Sequence, residues 1–399
     1  MTATDTATDL DRLKEQAESG FPPAQFYLGM SHYLGMNTPQ NQALGVSWFR
    51  KAADGGWKEA QFTLAQCLHF GSGVAPNMAE AALWYEAAAG NGHEQASLAI
   101  ATLLLNGGPV PKDEARAIRW LEQAANDGSA KAAVALGRLC EEGIGGPVRL
   151  DEARRWFRMA ADKGDAEGQY SWALTHPREE MAAAIPLLEE SARQGFPLAA
   201  FELGRRRLTA EGVDRDDAAA RILFETAAQS GLPIADHFLG GMWLEGRGGE
   251  KDFERAIRHF AVAGEKGYAA SQFVLGSLHY QGEAGQRDLN QATRWLEKAA
   301  GQGVTDAKFL LGMIYANEMD RPADALRWNR EAAAEGHAAA RFNLACQLRD
   351  GAGALADRAA ALAEFRACID AEDPQLAENA RIAAAELEGP GRDPAARAI

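Results

Sequence analysis

The chain is 399 residues long, 47% hydrophobic and 24% charged, so it can bury a large core and is not disordered by composition. Its formal net charge of −15 repels phosphate backbones and anionic membranes, which excludes nucleic acid as the expected partner. No stretch of about 18 apolar residues exists to cross a bilayer, and Cys67, Cys140, Cys346 and Cys368 are too sparse and irregular for a disulfide framework.

The chain opens on MTATDTATDL, with no basic start, apolar run or cleavage site. It does not read as a secretory signal, and the expected address is the cytoplasm. Residues 10–19 read as a lone helix closing the N-terminal end. From residue 23 a repeat sets in. Trp48, Trp84, Trp120 and Trp156 recur every 36 residues, as do Gly56, Gly92, Gly128 and Gly164, and then Gly195, Gly231, Gly267 and Gly303. The step shortens to 31 residues between Gly164 and Gly195 and to 33 between Gly303 and Gly336.

Each unit predicts two helices. The first carries Ala, then Leu-Gly four and five residues on, as in Ala132/Leu136/Gly137 and Ala235/Leu239/Gly240; that spacing puts Ala and Leu on one helical face. The adjacent Gly, or Ala65, Ala101 and Ala345 in its place, lets a second helix approach closely. A Gly-rich loop follows, such as Gly71-Ser72-Gly73-Val74. The second helix carries Ala three residues before an aromatic and Ala-Ala four residues after it, as in Ala117/Trp120/Ala124/Ala125, and closes on the periodic glycine. Pro22, Pro197 and Pro233 sit where the next helix begins.

Ten units follow, starting at Ala24, Ala60, Ala96, Ala132, Gly168, Ala199, Ala235, Ser271, Ala307 and Ala340. The fifth replaces the Gly-rich loop with Thr175-His176-Pro177-Arg178, puts Trp172 at the Leu position and carries Pro186 where its second helix runs. That helix is expected to begin late, near Ala184, or to be kinked. Residues 375–388 read as a lone closing helix and 389–399 as a disordered tail. The organisation is therefore 1–22 N-terminal segment and cap, 23–373 ten repeats, 374–399 C-terminal cap and tail. Trp84, Trp120 and Trp156 are expected to fill the space between the helices of a pair and the next unit, so that losing Trp120 would cost on the order of 3–5 kcal/mol.

This pattern of Ala, Leu-Gly, Gly-x-Gly-Val, Ala-x-x-Trp, Ala-Ala and Gly closely resembles the Sel-one-like repeat (SLR) family, relatives of the tetratricopeptide repeats, over roughly residues 20–373. The resemblance implies an all-α, right-handed superhelical solenoid of helix pairs acting as an adaptor or scaffold, in a family with many bacterial members. Some secreted relatives bridge consecutive repeats with cysteine pairs, and none of the four cysteines here falls on those positions. The chain departs from the family in the shortened fifth and ninth units, around His176-Pro177 and Asn317–Arg321. It departs again at His259, which replaces the second-helix aromatic, and at His237, which stands where other units carry Phe201, Phe273 or Phe309.

No serine, zinc, cysteine-pair or P-loop motif is present, and the Gly-x-Gly segments sit between helices rather than after a strand. His69 and Cys67 are two residues apart and point to different helix faces. His237 and His259 read as structural. The sequence therefore offers no catalytic residue, metal ligand or cofactor site, and no small-molecule substrate is expected.

What remains is binding. In tetratricopeptide arrays the first helices line a concave groove, and the analogous positions here lie six, nine and ten residues beyond each unit's Ala. They offer the apolar anchors Met30, Tyr33, Phe70, Tyr280 and Met313, with His69 beside them. They also offer the cations Arg138, Arg205 and Arg349, with Arg206 following Arg205. Aromatics, Met and Arg are enriched where proteins meet proteins. Two alternatives stand: some of these side chains pack under the neighbouring unit, or Glu141, Glu142 and Glu202 neutralise the arginines in exposed ion pairs. The function expected is a non-enzymatic adaptor holding a partner protein or peptide, as itself or as helper subunit of an enzyme. The alternative is a hydrolase of cell-wall or small-molecule substrates.

Overall fold

The computed structural model describes residues 3–177, 180–283 and 285–388; Arg178 and the expected disordered tail lie outside the described residues. Among the described residues all regular structure is helical, and no helix is long and apolar enough to cross a membrane. The chain divides into two compact units, Met1–Ala199 with Glu211–Val213, and Ala200–Ala210 with Asp214–Ile399.

The first unit contains α1 (Ala3–Glu18), α2 (Pro22–Leu34), α3 (Gln42–Asp54), α4 (Lys58–Phe70), α5 (Met78–Gly90) and α6 (Glu94–Asn106). It continues through α7 (Glu114–Asn126), α8 (Ala130–Glu142), α9 (Leu150–Asp162), α10 (Ala166–Leu174) and α11 (Met181–Arg193). α12 (Pro197–Thr209) begins at the division. The second unit goes on with α13 (Asp217–Gln229), α14 (Pro233–Glu245), α15 (Phe253–Glu265), α16 (Ala269–Gln281) and α17 (Leu289–Gly301). It ends with α18 (Thr305–Asn317), α19 (Pro322–Ala334), α20 (Ala338–Asp350), α21 (Arg358–Cys368) and α22 (Pro374–Glu388). From α1 to α11, and again from α13 to α22, each helix packs on the next in sequence. Each unit is thus a run of helical hairpins, the α-solenoid arrangement.

Punctuation in the sequence sets the helix lengths. Most second helices start at an Asn or Asp whose side chain accepts a hydrogen bond from the backbone N–H three residues on, at Asn41, Asn77, Asp113, Asp216, Asp252, Asp288 and Asp357, whereas α9, α11 and α19 start at Arg149, Glu180 and Arg321 without one. Each such cap satisfies a donor the helix cannot satisfy internally. The periodic glycine after the second helix is left-handed, with φ of 81° at Gly56 and 80° at Gly164, a backbone that side-chain-bearing residues resist.

Within a hairpin the decisive contact is between the glycine of the first helix and the residue of the second that follows the position held by tryptophan at Trp48, Trp120 and Trp156. A Cβ placed on Gly137 would lie 2.4 Å from the Phe157 ring, one on Gly29 2.7 Å from Phe49, and one on Gly240 2.7 Å from Phe260. Phe49, Phe157, Phe224 and Phe365 are among the largest fully buried side chains. This corrects the expected role of tryptophan. Trp84, Trp120 and Trp156 are half-buried, whereas Tyr85, Leu121 and Phe157, one residue on, are 1–2% exposed. Trp120 reaches instead toward Gly90 at the end of the preceding second helix.

In the fifth hairpin one of the two expected alternatives, the late start, is overturned. α11 begins at Met181, not near Ala184, and continues through Pro186. Pro186 and Ala182, whose carbonyl loses its hydrogen bond there, are both on the exposed side, where the carbonyl is open to solvent. The first helix of that hairpin, α10, has only nine residues.

The largest cavity cost therefore belongs to the phenylalanine. Phe157→Ala is expected to destabilise the chain by about 3–5 kcal/mol, and Trp120→Ala by less despite its larger ring. Urea unfolding of both variants checks this; a Trp120→Ala cost equal to or above that of Phe157→Ala would contradict it.

Candidate functional site

The expected binding residues fall in both compact units. In the first, Met30 and Tyr33 on α2 and Phe70 on α4 line one cleft of about 370 Å³. Phe26, Leu34, Thr63, Gln66, Cys67 and Ser72 complete it. Tyr33 is half core, with its ring 5.7 Å from that of Phe49, and burial pushes its hydroxyl above the usual phenol range. Phe70 is 70% exposed. His69 stacks on Phe70 at 4.4 Å, and its Nδ1 lies 3.4 Å from the hydroxyl of Tyr85. Leu34, ten residues beyond Ala24, is 50% exposed in the same cleft, and Met36, just past the end of α2, is 56% exposed.

Further along the same unit, Leu105, Asn106 and Arg138 line a second cleft of about 530 Å³. Arg138 forms its ion pair with Glu167 of the next hairpin, not with Glu141 or Glu142. Glu141 is exposed at the surface, yet the partial desolvation it does suffer raises its pKa, against the pull of the Arg138 charge.

In the second unit the arginines are committed to carboxylates. Arg205 grips Glu202 with two hydrogen bonds of 3.0 and 2.9 Å. Arg349 grips Asp350 with bonds of 2.7 and 2.9 Å. Arg206 is a correction: it is 3% exposed, with Nε 2.8 Å from the same Glu202, and cannot reach a partner. It stands seven residues beyond Ala199, where other hairpins bury Cys67, Leu139, Met242, Leu278 and Ile314. That periodicity was available in the sequence. Tyr280 and Met313 are half-buried, and the Arg287 guanidinium lies 4.8 Å from the Tyr280 ring centroid.

The two unusual histidines have structural partners. His237 Nδ1 lies 2.9 Å from Ser271 Oγ, and burial lowers its pKa. His259 Nδ1 lies 3.0 Å from Asp236 Oδ1. Asp236 takes the place at which Gln25, Gln61 and Gln272 donate to the carbonyls of Ala17, Ala53 and Gly264. Aspartate has no side-chain N–H to donate, so this hairpin substitutes a different pair.

Among the described residues no group of three or more His, Cys, Asp or Glu could hold a metal ion. The four cysteines are free thiols, three of them buried. Burial pushes their pKa values up, to about 11 for Cys368, the opposite of what a thiolate nucleophile needs.

A family model described as the Sel1 repeat matches residues 22–57, 58–93, 95–129, 130–165, 197–232, 233–268 and 269–304. The short fifth hairpin and the hairpins after residue 304 lie outside those matches. Among solved structures, the chain is 30% identical to a protective antigen of uropathogenic Escherichia coli strains displaying an SLR fold. The TM-score is 0.70, over 95% of this chain and 82% of that one. It is 29% identical to a Sel1 repeat protein from Oxalobacter formigenes, with a TM-score of 0.62 over 76% of this chain and 89% of that one. No curated protein matches the chain significantly.

A pH test addresses the histidine reading. Because burial lowers the folded-state pKa of His237, its neutral form is favoured by folding. Its contribution is complete above the unfolded value of about 6.5 and is lost as pH falls through the lower folded value. Replacing it with the aromatic of its sister hairpins, His237→Phe, is expected to gain stability relative to wild type as pH drops from neutral to about 5. Chemical denaturation across that range reads the difference; a difference independent of pH would contradict a neutral, buried His237.

Proposed function

The chain belongs to the Sel1 repeat family, whose members are generally protein-interaction scaffolds, and from that premise we propose that it binds a partner protein or peptide on the outward face of its first helices. The observation that carries this is exposure at positions freed from packing. Phe70 and Leu34, which line one cleft, are each half or more exposed, while the glycines, alanines and rings that build the hairpins are buried. Large apolar side chains left in water at one place are the usual mark of an interaction surface. The protein acts without catalysing a reaction, in the cytoplasm, and takes neither nucleic acid nor a small molecule as its partner. The free, buried cysteines suit a reducing compartment.

The paired arginines contribute less than their number suggests. Arg138, Arg205 and Arg349 each meet a carboxylate of this chain, so a partner's acid would have to displace an existing one. The apolar anchors Met30, Tyr33, Phe70, Tyr280 and Met313 are the better contacts.

The test is affinity capture from the native cells with the intact chain, against a Phe70→Glu, Met313→Glu variant shown by circular dichroism to keep its helices. At least one protein retained by the wild type and lost by the variant is expected. Identical sets of retained proteins would remove the first-helix face from the account.

A further inference from the structure

Resting on that scaffold reading, we propose that the first compact unit recognises a segment of a partner protein in which bulky apolar side chains lie next to basic residues. The apolar part docks on α2 and α4, and the basic part lies over the end of α8.

The charge distribution along the first helices carries this. Not one residue lining the cleft between α2 and α4 is charged, in a chain 24% of whose residues are. On α6 the corresponding positions are Thr102, Leu105 and Asn106, again uncharged. An apolar cleft with an exposed phenylalanine at its edge favours an apolar side chain and rejects a charged one, which would have to shed its water without gaining a partner.

At these first-helix positions charge begins at α8, where Arg138 is followed by Glu141 and Glu142. The second cleft sets Lys112, Lys131 and Arg138 against Glu142, Asp165 and Glu167, with Arg138 paired to Glu167 and Lys112 to Glu114 outside the lining. Lys131 is then the remaining cation, and Glu142 and Asp165 the remaining anions. Glu141 and Glu142 are both exposed, and the cation between them and α10 is already committed to Glu167. A partner lysine or arginine placed here gains attraction in a field that the net charge of −15 reinforces. An acidic segment would meet repulsion at the same place.

The experiment selects peptides from a random phage-displayed library on the intact folded chain, then measures the enriched sequence as a fluorescein-labelled synthetic peptide. Enriched sequences are expected to join aromatic or large aliphatic residues to Lys or Arg. Their Kd should weaken by about tenfold or more in Phe70→Glu. The dependence of Kd on salt should shrink in Glu141→Gln, Glu142→Gln. Phe70 is 70% exposed, so its replacement leaves the core untouched. Enriched sequences with acidic flanks, or a Kd unchanged in Phe70→Glu, would overturn the proposal. Peptides that keep their affinity in Phe70→Glu but lose it in Met313→Glu would overturn this placement and leave the scaffold reading standing. A library yielding no peptide specific for the folded chain would overturn both.

Discussion

The distance at which the two helices of a hairpin pack governs the rest of this molecule. At Gly29, Gly137, Gly204 and Gly240 the first helix presents bare backbone to a phenylalanine ring, at separations that leave no room for a methyl group. Burying such a ring removes a large apolar side chain from water, for about 1.5–3 kcal/mol. The close approach also supplies dense van der Waals contact along both helices. Where the first helix carries Ala instead, the residue at the ring position is Tyr85, Leu121, Leu188 or Phe365. Gly276 and Gly312 meet Leu296 and Asn329. Hairpins thus vary the pair without giving up the contact.

Stacking of one hairpin on the next uses different residues. Glutamines at Gln25, Gln61 and Gln272 reach back to a carbonyl near the end of the preceding second helix. The rings of His93 and His337 stack at 4.3 Å on Phe62 and Phe309 of the preceding hairpin, while their Nδ1 atoms cap the helices that follow. Interactions of this kind reach only to the next unit, so each hairpin is stabilised by its neighbours and not by a common centre. The consequence for function is freedom: positions on the outer side of the first helices carry no packing duty and can hold Phe70 in one hairpin and Asn106 in the next.

That division explains what the sequence made legible. The period of small residues and rings is enforced at each hairpin by the same steric contact, so the helices and the order of the pairs could be read directly. The identity of the buried ring could not be read from the most conspicuous residue. Tryptophan recurs at four successive units, yet Trp120 reaches the preceding second helix while its quieter neighbour Leu121 fills the hairpin. Arg206 looked like part of a cationic cluster because adjacent arginines draw attention, whereas the buried apolar residues seven positions beyond the other units' first alanine pointed inward. The partner of Arg138 comes from the next hairpin, at Glu167, a relation that depends on how α8 and α10 are placed and not on spacing within one unit. At Asp236 and His259 two departures from the pattern answer each other, which only the fold could pair.

The most direct measurement of this account is the stability of Gly137→Ala, alone and with Phe157→Leu. An isolated helix gains about 1 kcal/mol when an interior glycine becomes alanine. Here the added methyl has no place beside a ring that is 1% exposed, and overpacking of a filled core costs about 1–3 kcal/mol. The account predicts that Gly137→Ala lowers the urea midpoint. It also predicts that Phe157→Leu, which makes the pair resemble Ala101 and Leu121, costs less in the Gly137→Ala background than in the wild type. A Gly137→Ala chain as stable as wild type or more so, with the two substitutions simply additive, would show that hairpin spacing is not set by this contact.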